Sequence, residues 1–325
     1  MKKTAQTILT LAFLLLSTKT TFAQTAIGLS AIPPRIEISG KPGQVITKEI
    51  KIRNESNIER HISTSISDFI VNDNSGTPIK VISKDNRWAA SQWVSISPNQ
   101  SLKLKPGETK ALNLIVIIPE NATPGGHYAM VLHKPNNEAA IVSQTSSSIE
   151  TNVGTLILIS VAGKINQNAK IDYLIAPKFL EYGPVNFKSA ISNLSDIHIK
   201  PIGSIKITNM LGGKTATITY NDLDYNIFPL TNRLFENKLN KKFLFGRYKA
   251  KLTASYGTAG GILTATIFFW VIPWRLILLV VCAIIIIILL VLLFKQPVKM
   301  KEQENAIDDL EKELEKLKKK YKDLK

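Results

Sequence analysis

Between residues 35 and 118 several runs of apolar side chains fall on even positions. Ile36, Ile38, Ile46, Ile50, Ile52, Leu102, Leu104, Leu112, Leu114, Val116 and Ile118 alternate with polar residues such as Arg35, Glu37, Lys51, Arg53, Lys103 and Asn113. A strand sends successive side chains to opposite faces, so this alternation predicts sheets with one apolar and one solvated face. Lys41-Pro42-Gly43 and Lys105-Pro106-Gly107, 64 residues apart, are matching turn signals ahead of strands. Proline presets the first central dihedral and glycine accepts the positive one of a type II turn. Two matches are too few for a solenoid and read as one hairpin device used twice in a single sandwich. A second β block follows the small, polar stretch Gly163 to Lys170. Its clearest strand sets Tyr248, Ala250, Leu252, Ala254 and Tyr256 against Lys249, Lys251, Thr253 and Ser255, with further runs at 185–191, 197–207, 216–220 and 263–271. Short strands, turn signals and no amphipathic helix predict an all-β exterior of two tandem β-sandwiches, at 30–165 and 166–271.

Two stretches obey a different rule. Leu276 to Phe294 is 19 residues without a charge, which at about 1.5 Å per residue nearly covers a hydrocarbon core of about 30 Å. It predicts one transmembrane α-helix, placed at 275–295. At the other end, Lys2 and Lys3 precede the short apolar run Ile8 to Leu16, and Thr21-Phe22-Ala23 offers small residues at a cleavage site. The reading is a signal peptide, 1–23, with an uncleaved anchor as the alternative. The 20 residues before the span (255–274) hold no Lys or Arg, whereas the 20 after it (295–314) hold Lys295, Lys299, Lys301 and Lys312. Basic flanks stay inside, so the expectation is a single-pass cell-membrane protein with an extracellular N-terminal part and a cytoplasmic tail. Trp270, Trp274 and Arg275 then sit at the outer membrane interface and Lys295 at the inner one. The second sandwich stands close to the bilayer, with the first farther out.

The tail, 300–325, predicts a short cytoplasmic helix. Ile307, Leu310, Leu314, Leu317, Tyr321 and Leu324 are spaced 3, 4, 3, 4 and 3, a heptad seam suited to a parallel homodimer. A solitary charged helix at the lipid surface is the competing reading.

The stretch PPRIEISGKPGQVITKEIKIRNES (33–56), followed by WVSISPNQSLKLKPGETKALNLIVIIPENATPGGHYAMVL (93–132), resembles the N-terminal immunoglobulin-like domain of bacterial surface proteins related to the WxL-interacting family. It is also similar to the pilus-chaperone type of sandwich. NLSDIHIKPIGSIKITNMLGGK (193–214) looks like a strand-turn-strand of membrane-proximal immunoglobulin-like domains in such proteins. The resemblance implies two immunoglobulin-like sandwiches and a peptidoglycan-binding type of first domain.

Composition narrows the chemistry. The single Cys282 lies inside the apolar run, which excludes a disulfide scaffold and thiolate metal clusters. Nucleophile-elbow, zinc-protease and phosphate-loop spacings are missing, so the expectation is no enzyme, no catalytic residue, no cofactor and no metal. His127 and His133 share strand parity without an accompanying carboxylate cluster. Residues 24–274 carry 27 Lys or Arg and 17 Asp or Glu. Such a surface attracts anionic polymers, although lysines also protect sheet edges. Nucleic acid is disfavoured by location. Trp88 and Trp93, with Arg87 and Lys84, are the candidate ligand contacts, against a core-packing role for either tryptophan. The function expected is attachment to cell-wall polymer through the first sandwich. The alternative is a scaffold or chaperone-like assembly module that pairs with another surface protein by strand or sheet-face contacts.

Overall fold

The computed structural model describes residues 28–81, 86–98, 101–136 and 152–322, with the backbone alone for 294–302. The signal segment 1–23, Lys84 and Leu324 lie outside the described residues.

Two β-sandwiches follow one another. In the first, one sheet has the order β1 (Leu29–Ile32), β3 (Val45–Asn54), β8 (Thr109–Ile117), β6 (Val94–Ser97). The facing sheet runs β2 (Arg35–Gly40), β10 (Val153–Val161), β9 (Gly125–Pro135), β4 (Arg60–Ile70), β5 (Ile79–Val81), with β7 (Leu102–Leu104) also paired to β4. The chain crosses between sheets at Pro33 and Pro34: β1 is antiparallel to β3 and β2 parallel to β10. Proline has no N–H for the ladder, so the first pairing stops there. The alternation is realised, with Ile50, Ile52, Leu104, Leu112, Leu114 and Val116 buried while Lys51, Arg53, Lys103 and Asn113 face solvent. Both Lys-Pro-Gly turns form. Gly43 has φ 78° and Gly107 φ 71°, and Gln44 and Glu108 donate their N–H groups to the carbonyls of Lys41 and Lys105.

The second sandwich packs β11 (Ala169–Ile175), β13 (Val185–Asn193) and β16 (Asn232–Leu239) against β12 (Phe179–Leu180), β18 (Gly261–Val271), β17 (Gly246–Tyr256), β14 (Ile202–Asn209) and β15 (Lys214–Tyr220). Phe187, Ile205, Ile207, Tyr220, Leu252 and Phe269 fill its core. The run read as one strand at 197–207 divides. The strand begins at Ile202, after Pro201, because residues 195–200 turn toward the first sandwich. The residues of β16 do not alternate apolar with polar and escape a periodicity reading, although their exposure alternates; only Phe235 and Leu239 of its eight residues are buried.

A single helix, α1 (Trp274–Lys322, 49 residues), follows. The span expected at 275–295 and the tail helix expected at 300–325 are therefore one continuous element, since no helix-ending turn intervenes. Its Trp274–Leu293 segment is long and apolar enough to cross a membrane, and none of it is buried against the sandwiches. Ile307, Leu310, Leu314, Leu317 and Tyr321 all lie exposed along its distal part.

Candidate binding site at the junction of the two sandwiches

β9 and β10 are buried on both faces, and that doubled burial makes the site. Ala129, Val131, Ile157 and Ile159 point into the first core, while Tyr128, Met130 and Leu158 point out of it. The outward set meets Phe69 and Val71, from β4 and its exit, and Phe228 from the second sandwich. The Phe228 ring centroid lies 5.4 Å from that of Phe69 and 5.0 Å from that of Tyr128, both edge-to-face. Such pairs add to the value of the area they bury. The sequence signal was the near-continuous apolar run in each strand, which marks two-sided burial.

Polar contacts rim this apolar wedge. The N–H of Gly126 donates to the carbonyl of Asp196 at 2.9 Å, and the N–H of Leu234 to that of Asn74 at 2.9 Å. Asn226 Nδ2 donates to Glu37 Oε1 at 2.8 Å, with Lys200 Nζ 3.2 Å from the same carboxylate. Arg87 pairs with Asp196 at 3.0 Å. Glu37 is held below its ordinary pKa: the Asn226 and Lys200 hydrogen bonds and the Lys200 charge outweigh burial, which is the largest single effect and acts upward.

Tyr128 Oη accepts the backbone N–H of His198 at 2.9 Å and lies 3.2 Å from its Nδ1. The hydroxyl accepts that N–H and keeps its own O–H to donate to a deprotonated Nδ1. Burial lowers the His198 pKa to about 4; Lys200 and Arg35 add to this and Glu37 opposes it. Burial likewise lowers His133, whose Nδ1 meets Thr64 Oγ1 at 2.9 Å, to about 4. Both rings are neutral in the fold and bind protons less readily than in the unfolded chain. Stability is therefore full above about pH 6.5 and is lost as pH falls toward about 4. The expected result is a melting temperature flat from pH 7 to 8 that drops by more than about 5 °C by pH 4.5. His198→Gln should flatten part of that drop, and an unchanged profile would show that His198 does not titrate in this window.

Beside the wedge a cleft of about 530 Å³ opens between the sandwiches, lined by residues 70–73 and Trp88 of the first and by 192–194 and 229–232 of the second. Asp68 positions Trp88: its Oδ1 accepts the N–H groups of Ala90 and Ser91, both at 2.7 Å, and Tyr128 N–H donates to the Trp88 carbonyl at 2.7 Å. The Trp88 indole N–H has no hydrogen-bond partner among the described residues. At the cleft mouth Leu230 adopts φ 56° and is 70% exposed, its N–H fixed by the carbonyl of Asn193 at 3.0 Å. The Asp73 carboxylate stands on the other rim. The Ser75 hydroxyl first, then the Thr77 and Gly76 N–H groups, hold its pKa far below the ordinary range.

Of the candidate ligand contacts among the described residues, Trp88 alone lines this cleft. Arg87 is engaged by Asp196, and Trp93 packs on His127 with ring centroids 4.3 Å apart. Trp88 and Trp93 do not share a strand, since Trp88 lies in a turn and Trp93 ends the short 3-10 turn Ser91–Trp93. His127 and His133 sit on β9 with separate partners, His127 Nε2 donating to the Thr123 carbonyl at 2.9 Å. Among the described residues no three His, Cys, Asp or Glu side chains come together. Leu194, Leu230 and Asp73 were not legible as site residues, because nothing in their spacing says that two domains bring them to one rim. At the far end Trp270 and Trp274 are exposed and Arg275 pairs with Glu181 at 3.5 Å. Lys295 falls within α1.

No family model matches the sequence, and no curated protein does. Among solved structures, the class 5 fimbriae chaperone CfaA is 13% identical, with 74% of this chain and 99% of that chain covered and a TM-score of 0.37. The YadV chaperone is 9% identical, covering 75% and 100%, with a TM-score of 0.36. The E. coli chaperone DraB is 12% identical, covering 75% and 96%, with a TM-score of 0.31. At these scores the likenesses carry no argument about function. The two-sandwich architecture rests on the strand pairing of the chain itself.

Proposed function

We propose that this protein is a membrane-anchored assembly module whose interdomain cleft receives an extended apolar segment of another cell-surface protein. One observation carries the reading: a cleft framed by both sandwiches displays Leu230, 70% exposed and in the left-handed backbone region. Holding a leucine there costs on the order of 1 kcal/mol, and such strain gathers at ligand sites. Trp88, Leu194 and Leu230 suit an aliphatic or aromatic side chain, and the ionised Asp73 suits a neighbouring cation on the partner. The topology adopted is exterior sandwiches and an interior tail, on the lysine asymmetry about the apolar run. The 11-residue strands β17 and β18 then set the cleft about 35 Å above the membrane. Attachment to wall polymer has less support, since Trp93 and Arg87 are committed to contacts within the chain.

A photocrosslinker placed at Leu230 of the full chain in living cells is expected to capture a discrete protein, while one at the exposed Ile117 of β8 does not. Leu230→Asp should abolish co-purification of that protein without lowering the melting temperature, and 0.5 M salt should leave the wild-type interaction in place. Equal capture from both positions would refute the cleft as the docking site. Retention on cell-wall sacculi that salt removes and Leu230→Asp leaves intact would refute it in favour of polymer binding.

A further inference from the structure

The end of the second sandwich opposite the junction has its own surface chemistry. Register brings four connections there. Val185 pairs with Leu239, Asn209 with Tyr248, Gly246 with Val271 and Phe179 with Trp270. The β14–β15 turn, the β16–β17 connection, the β12–β13 connection and the exit into α1 therefore share one rim. Four large apolar side chains project from it: Met210 is 71% exposed, Leu211 87%, Phe243 81% and Phe245 69%. A water-facing loop tip has no use for such residues, and exposed apolar clusters of this kind mark contact surfaces.

Two observations identify what covers them. The first is continuity with the helix. Only Ile272 and Pro273 separate β18 from α1, and they are tied down: Ile272 N–H donates to the Leu180 carbonyl at 2.9 Å, and Ile277 N–H to the Pro273 carbonyl at 3.0 Å. A groove of about 620 Å³ joins Phe243 and Phe245 to Pro273 and Leu276, so the loop aromatics flank the first turn of the apolar helix. If α1 crosses a bilayer, this rim meets the bilayer surface. The second observation is charge. No Asp or Glu occurs from 237 to 301, whereas Lys214, Lys241, Lys242 and Arg247 lie in or next to the rim connections. Glu181 there is already paired with Arg275.

We propose that Met210, Leu211, Phe243 and Phe245 insert into the headgroup–acyl boundary of the bilayer that α1 crosses, with Lys214 and Lys242 facing the phosphates of anionic lipids. Apolar tips with basic neighbours are the composition that lies in a membrane interface. The domain is then seated on the lipid, which fixes the height and orientation of the cleft above. This inference rests on the membrane-spanning reading of α1.

The test uses the full chain with Cys282→Ala in nanodiscs containing phosphatidylglycerol, spin-labelled in turn through Leu211→Cys, Phe243→Cys, Ile284→Cys and Ile117→Cys. Power saturation compares access to oxygen, which partitions into lipid, with access to a water-soluble nickel chelate. The expected result is a lipid-like ratio at 211 and 243, shallower than at 284 and opposite to the aqueous ratio at 117. Replacing the anionic lipid with phosphatidylcholine should reduce the depth at 211 and 243 and leave 284 unchanged. A lipid-like 284 with aqueous 211 and 243 would overturn the seating alone. Protection of 211 and 243 from both reagents would also overturn it, in favour of a protein contact. An aqueous 284 would overturn the span itself and the seating with it.

Discussion

Replacing Phe228 by alanine is expected to destabilise the protein by about 3–5 kcal/mol, the usual cost of emptying a buried aromatic site. The ring is buried against both Phe69 and Tyr128, at 5.4 and 5.0 Å, and the cavity would lie between two domains. Its neighbours cannot close the gap without moving one sandwich against the other, so the loss should fall on the joint. In calorimetry the wild-type chain should melt with the sandwiches coupled, whereas Phe228→Ala should separate two transitions, the cores of both domains being otherwise intact. Phe228→Leu, which keeps an apolar side chain and much of the volume, should restore most of the coupling. A single transition unchanged in Phe228→Ala would show that the polar rim alone couples the domains.

Asn193→Ala is expected to cost about 3 kcal/mol or more. Its fully buried side chain donates from Nδ2 to the carbonyls of Ile197 and Ile227, both at 2.8 Å, and accepts the N–H of Ser195 at 2.9 Å. Alanine takes away the partner of the Ile197 carbonyl and of the Ser195 N–H, at about 1–3 kcal/mol for each group left buried and unsatisfied, while the Ile227 carbonyl keeps the Ile199 N–H at 3.0 Å. The same residue holds the 195–199 segment that delivers the Asp196 carbonyl and the His198 N–H to the first sandwich. Hydrogen exchange should therefore accelerate at Gly126 and His198, whose N–H groups make the interdomain bonds. Asn54 provides the comparison. At the end of β3 it donates to the Ile58 carbonyl at 2.7 Å and accepts the Ser56 N–H at 3.0 Å, the same offsets as in Asn193. Asn54→Ala should destabilise the first sandwich and leave exchange at the joint unchanged. Similar exchange at the joint in both variants would show that Asn193 acts through global stability alone.

The Asn54 and Asn193 networks show what a sequence reading can overlook. IRNESNI (52–58) and ISNLSDI (191–197) repeat one pattern at an offset of 139 residues, and each closes the end of an equivalent strand. The repeat was present in the letters, but its value lies in which buried carbonyls the asparagine reaches, and those come from elsewhere in the chain. β16 was missed for a related reason. Its Leu234 is exposed and its N–H is satisfied by Asn74 of the other domain, so no local alternation records it. For the candidate contacts Trp88, Trp93 and Arg87, only the fold assigned Trp88 to the cleft, Trp93 to His127 and Arg87 to Asp196.

By itself the sequence determined the elements whose physics is local. Period-two alternation specifies strands with a buried face, Lys-Pro-Gly specifies tight turns, and an uncharged apolar run specifies a helix that water does not favour. The tertiary structure alone decided how the sandwiches meet, because burial of β9 and β10 on a second face requires Phe228, 100 residues after Tyr128 and 70 after Leu158, to arrive there. It also decided that Leu230 and Trp88 share one cleft and that Leu211 and Phe243 share one rim. These are juxtapositions of distant segments, set by packing free energy summed over whole domains, and no short window of residues contains that sum.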